Sequence, residues 1–158
     1  MTIAALIEHY LAGPRLLREA VAGMTDAQFE AQPVPGKWST KQVICHIADF
    51  EPVYLDRIKR VIAENEPTMF GGDPDLFAAR LAYSSRDVEL ELKLIEACRA
   101  HLGTILRSLP EGDFARRGIH SVAGPMSIEK LLGNIAGHIP HHVRFIQEKR
   151  AAMAMPCA

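Results

Sequence analysis

The sequence predicts an all-α fold, a four-helix bundle with long inter-helix connections. Three observations carry that expectation. Apolar residues recur at helical spacing over four stretches of about 20 residues or more. Prolines and glycines crowd the links between those stretches. No stretch alternates apolar and polar residues as a half-buried strand would. At 158 residues the chain is long enough for one domain with its own core. That domain is expected over 1–152, with 153–158 as a C-terminal tail.

The first helical segment covers 2–22, with Leu6, His9, Tyr10 and Leu17 near one face and a kink expected at Gly13-Pro14. Pro33 to Gly36 mark the loop within MTDAQFEAQPVPGKWST. Ser39 or Thr40 caps a second helix, which runs to about residue 65 and ends at NEPTMFGGDPD. A short helix is expected near 74–83. Ser84 or Ser85 opens the third long helix, and Pro110 and Gly112 close it. EGDFARRGIHSVAGPM reads as a second irregular link. Ser127 caps the fourth helix, about 127–151. Links of this length do not require an up-down-up-down order.

Composition excludes several classes of function. Apolar residues make up 48% and charged residues 23%, an ordinary globular balance. With 18 basic and 19 acidic residues the net charge is −1. No run of like charge appears, so neither nucleic acid nor an anionic membrane is an expected partner. No apolar stretch approaches the ~20 residues that span a bilayer. The N-terminal MTIAALIEHYLAGPRLL lacks the basic start of a signal peptide. Cys45, Cys98 and Cys157 are too few for a disulfide scaffold, so a cytoplasmic location is expected. The chain has no Glu-x-x-His pair, His-Glu-x-x-His, Gly-x-Ser-x-Gly, Walker loop or Cys-x-x-Cys.

The chemistry concentrates in GHIPHH, residues 137–142. A helix turns 100° per residue, so with His138 at zero, His142 lies at about 40°, Leu131 at about 20° and Phe145 at about −20°. His138 and His142 therefore sit within the apolar stripe. His141, at about −60°, lies on its shoulder. On the second helix His46 shares a face with Val43, Phe50 and Val53. Two inward histidines at i and i+4 can converge on one ion, and a third from a facing helix completes a set of three. Three protein ligands leave a coordination position for water or substrate. The same residues also suit hydrogen-bonded core histidines, and helical spacing leaves both readings open.

A resemblance bears on that choice. PGKWSTKQVICHIADFE (35–51) resembles the segment of DinB-like (DinB/YfiT-type) proteins in which a Gly-x-Trp-Ser turn leads into His-x-Ala-Asp-x-Glu. AGPMSIEKLLGNIAGHIPHHVRFI (123–146) resembles the family's second block, Gly-Pro-Met-Ser/Thr followed by His-x-x-x-His. The similarity covers nearly the whole chain. It implies a DinB/YfiT-like four-helix bundle with a divalent metal held by His46, His138 and His142, and often a homodimer. Family members include S-transferases and isomerases that use low-molecular-weight thiols. One departure is Pro140, between the paired histidines, which removes an N–H and is expected to distort the local turn.

The expected cofactor is one divalent transition metal, zinc or nickel first, with iron or manganese as further candidates. The expected function is a metal-dependent enzyme acting on a small molecule. Activation of water gives a hydrolase, and activation of a thiol gives an S-transferase. The alternative is a non-enzymatic, stress-associated metal-binding bundle with a vestigial site. A deep cavity at the metal favours chemistry, and closure by Phe50 and Phe145 favours the bundle. Asp49, Glu51 and His141 are the candidates to orient the ligands or move protons. Cys45, His9, His101, His120 and Trp38 read as packing or surface residues. Metal is expected to leave as pH falls below the ordinary histidine pKa, ~6.5.

Overall fold

The computed structural model describes residues 1–155. Its helices are α1 (Ile3–Val21), α2 (Asp26–Glu30), α3 (Thr40–Ala63), α4 (Pro74–Arg80), α5 (Val88–Ser108) and α6 (Ile128–Ala152). The strands are β1 (Thr68–Met69), β2 (Arg117–His120) and β3 (Gly124–Ser127). The four long helices α1, α3, α5 and α6 form the bundle. α1 packs on α5 and α6, and α3 packs on the same two. The consecutive long helices α1 and α3 therefore stand across a diagonal. Ser39 opens α3 with a capping box shared with Gln42, and the Ser127 hydroxyl caps α6 through Lys130 N–H.

Several sequence expectations need correction. The link after α1 contains a short helix, α2, opened by a Thr25–Gln28 capping box. α5 starts after Asp87, not at Ser84 or Ser85. Tyr83–Ser85 forms a 3₁₀ turn after a left-handed Ala82, Arg86 is extended, and the Asp87 carboxylate accepts from Leu90 N–H at 2.8 Å. The second irregular link holds β2 and β3, paired antiparallel, while β1 lies parallel to β2. These strands are too short to show an alternating pattern. At Gly118 a Cβ would stand 2.9 Å from the Pro67 carbonyl and 2.8 Å from Val61, so glycine lets the sheet lie close on α3. His9 is exposed, although Tyr10 and Leu17 are buried. Within the expected tail, Met153–Met155 follow α6 closely, and 156–158 lie outside the described residues. No described helix is long and apolar enough to cross a membrane.

A polar layer divides the core. Ile58, Leu102 and Ile135 belong to one buried apolar cluster, and Ile47, Ile95 and Ile139 to another. Between them Arg99 is fully buried and Glu51 is 1% exposed. Arg99 Nε donates to Glu51 Oε1 at 2.8 Å and Nη2 to the Ile135 carbonyl at 2.9 Å. Nη1 donates to the Tyr10 carbonyl at 2.6 Å. That carbonyl would ordinarily accept from residue 14, which is a proline without an N–H. Gly13 opens the approach: a Cβ there would stand 2.1 Å from Arg99 Nη1. Gly13-Pro14 is thus the socket for a guanidinium from α5, and α1 remains one continuous helix through it.

Removing one partner of such a buried pair leaves an uncompensated charge. Glu51→Gln is expected to lower the unfolding free energy by about 3–5 kcal/mol. Denaturant titration should show E51Q/R99M costing less than the two single changes added together. Additive costs would show that the two side chains do not act as a unit.

Candidate metal centre

His46 projects from α3, and His138 and His142 project from successive turns of α6. Both helices carry their histidines inward because the apolar stripes do. His46 is 6% exposed, and His138 and His142 are half-buried. His138 Nε2 stands 3.0 Å from His46 Nε2 and 3.1 Å from His142 Nε2. One ring nitrogen from each residue lies within 4.8 Å of the others. Pro140 does not spoil this spacing, since α6 is continuous α-helix from Ile128 to Ala152.

The donor set suits a divalent transition ion. Two imidazole nitrogens bound tetrahedrally at ~2.0–2.1 Å stand roughly 3.3 Å apart, close to the separations seen here. Neutral imidazole is the binding form. Burial, reinforced by His142 and His46, holds His138 down at about 2, and burial with His46 beside it holds His142 at about 3. Burial also lowers His46, against a pull upward from Asp49. The Nδ1 atoms of all three rings are buried and have no hydrogen-bond partner among the described residues. His138 thus presents Nε2 to both of the other rings.

Aromatic rings frame the cluster. The Trp38 and Phe50 centroids lie 5.3 Å and 4.8 Å from the His46 ring, and Phe145 lies 5.9 Å from His142. Phe50 and Phe145 do not seal the site. A cavity of about 230 Å³ reaches His142 between Trp38, Val43 and Phe145.

Two of the three orienting candidates, Asp49 and Glu51, are engaged elsewhere. Asp49 accepts from Tyr83 Oη and Arg86 Nη1, both at 2.8 Å. Glu51 is held by Arg99. His141 is exposed, with Nδ1 3.0 Å from Arg144 Nη2, and its ring stands edge-on to His142 at 5.2 Å between centroids. Cys45 is buried beneath the Tyr83 carbonyl, and burial pushes its thiol up to about 11, which makes it a packing residue. His120 Nδ1 accepts from Val122 and Ala123 N–H and so shapes the β2–β3 turn. His101 is exposed. Two cavity-lining residues, Lys37 and Lys149, escaped the sequence reading. Helical spacing offered a signal for one of them, because Lys149 lies seven residues past His142, about 20° from the same face.

With this geometry in place, comparison with known proteins is informative. A relative from Oceanobacillus iheyensis, named "Putative metal-dependent hydrolase", is 33% identical over 133 residues, 84% of this chain and 77% of the relative. The structure of YfiT from Bacillus subtilis, described as a probable metal-dependent hydrolase with an unusual four-helix bundle topology, superposes with a TM-score of 0.90 at 25% identity. That match covers 98% of this chain and 89% of YfiT. The mycothiol-dependent maleylpyruvate isomerase shares the fold at a TM-score of 0.72 and 14% identity, over 91% of this chain and 60% of that one. The DinB superfamily model matches residues 9–146, and the chain belongs to that superfamily.

Proposed function

We propose that this protein is a divalent-metal-dependent hydrolase of small molecules, with His46, His138 and His142 as its metal ligands. The observation that carries this reading is three converging imidazoles, one of which, His142, lines a cavity. A divalent ion held there, with zinc or nickel first among candidates, would supply Lewis-acid activation of a bound water or thiol. Three protein donors would leave a coordination position for water or substrate. Burial keeps the rings unprotonated, and Trp38, Phe50 and Phe145 limit the access of bulk water. The cavity favours an enzyme over a vestigial metal-binding bundle.

Transfer of a low-molecular-weight thiol is a second reading, and one observation favours it. Asp49 and Glu51 are both paired away from the three rings, so neither carboxylate is placed to take a proton from water, whereas the exposed His141 ring stands 5.2 Å from His142. A thiol deprotonated by the ion needs no such base. A hydrolase panel run beside thiol cofactors and electrophilic acceptors separates the two reactions.

Elemental analysis of purified protein is expected to find about one divalent ion per chain, and H138A/H142A only background metal. Equal metal in both proteins would rule out these ligands. A pH series gives a second test. The unfolded imidazoles titrate near ~6.5 while the folded rings are held far lower. Neutral rings therefore contribute stability that is present above ~6.5 and is lost as pH falls toward the depressed values. The melting temperature of metal-free protein is expected to drop between about pH 6.5 and pH 4, and less steeply in H138N. Bound metal should then leave together with unfolding, not at ~6.5 as the ordinary histidine pKa implies. Stoichiometric release at pH 6 from folded protein would contradict this.

A further inference from the structure

The cavity beside His142 contains a charge that the metal site does not use. Lys149 lines it and is only 2% exposed. Its Nζ makes one hydrogen bond among the described residues, to the Phe145 carbonyl at 3.1 Å. An ammonium carries three N–H donors, and a buried cation without a counter-charge is costly. Burial and the nearby Lys37 lower the Lys149 pKa, and Glu148 opposes them without an ion-pair contact to it. Lys37 and Glu148 are both exposed at the rim, so the cavity walls carry one net positive charge.

The position of this ammonium relative to the histidines is informative. Side chains on a helix lean toward its N-terminus. With Nζ at the Phe145 carbonyl, the ammonium lies about one helical turn, ~5 Å along the axis, from the level of His142. Trp38, Val43 and Phe145 add apolar walls to the same cavity. The cavity therefore combines a cation, an imidazole ligand and apolar walls. At about 230 Å³ it is smaller than the usual range for drug-sized ligands.

Resting on the metal-site reading, we propose that the substrate is a small carboxylate whose anionic end pairs with Lys149, with an apolar body against Trp38 and Phe145 and the reacting group toward His142. One net positive charge suits a monoanion better than a doubly charged phosphate. Lys149 is thus a specificity-determining residue that is not itself a metal ligand.

Trp38 is the single tryptophan of the chain and lines this cavity, so its fluorescence reports occupancy. Titrations of 3-phenylpropanoate and its neutral amide are compared in metal-free and metal-loaded protein. The acid is expected to bind at least about tenfold tighter than the amide in both forms. K149M is expected to bring acid and amide within about twofold, and K149R to restore most of the preference. An acid that binds no tighter than the amide to metal-free wild type would overturn the proposal, as would no binding of either up to about 10 mM. That comparison needs no variant, so it decides even if K149M fails to fold. A preference that appears only with metal and survives in K149M would mean that the ion, not Lys149, holds the carboxylate. A preference in metal-free protein that takes up no stoichiometric metal would sink the metal-site reading and leave the Lys149 anchor standing.

Discussion

The guanidinium of Arg99 makes contact with all three of the other long helices. From α5 it bonds the Tyr10 carbonyl of α1, the Glu51 carboxylate of α3 and the Ile135 carbonyl of α6. These partners lie between two apolar clusters, at a level where hydrophobic packing alone specifies little about helix register. A hydrogen-bonded charge tolerates far less sliding than a leucine does. Ile135 is one turn before His138 on α6, and Glu51 is five residues past His46 on α3. The contact that sets the height of α6 against α3 therefore also sets how His138 meets His46.

The histidine cluster builds on that frame with little support of its own. Among the described residues none of the three Nδ1 atoms has a partner, and Asp49 and Glu51 bond other groups. The rings are positioned by helix geometry and by the aromatic rings around them. Their neutrality follows from burial and from one another. This division of labour explains why two carboxylates close to His46 in sequence are absent from the site. Asp49 ties α3 to the segment before α5 through Tyr83 and Arg86, and Glu51 is committed to Arg99.

Much of this was legible in the sequence, for local reasons. Helical period placed His46, His138 and His142 on inward faces, because that period depends only on neighbouring residues. Ser39 and Ser127 announced two helix starts through cap chemistry. What stayed hidden depended on distant partners. Glu51 looked like a ligand-orienting group until Arg99, 48 residues away, came to face it. The part Gly13-Pro14 plays as a socket was not legible, because it depends on a guanidinium 89 residues from Tyr10. β1 and β2 pair across a separation that no local pattern encodes, and the diagonal placement of α1 and α3 is likewise a property of the whole bundle.

The wide spacing of these contacts has a consequence in time. His46 and His138 are 92 residues apart, and Arg150 caps the end of α1 by bonding the Ala20 carbonyl across 130 residues. A nascent chain emerging from the ribosome exposes α1 and α3 long before α6 exists to join them. During that interval His46 is a solitary imidazole with no claim on any ion. Contacts of such long range also slow the folding of a helical protein, because large loops must close before the contacts can form. The three histidines can therefore come together only after α6 has been made and docked.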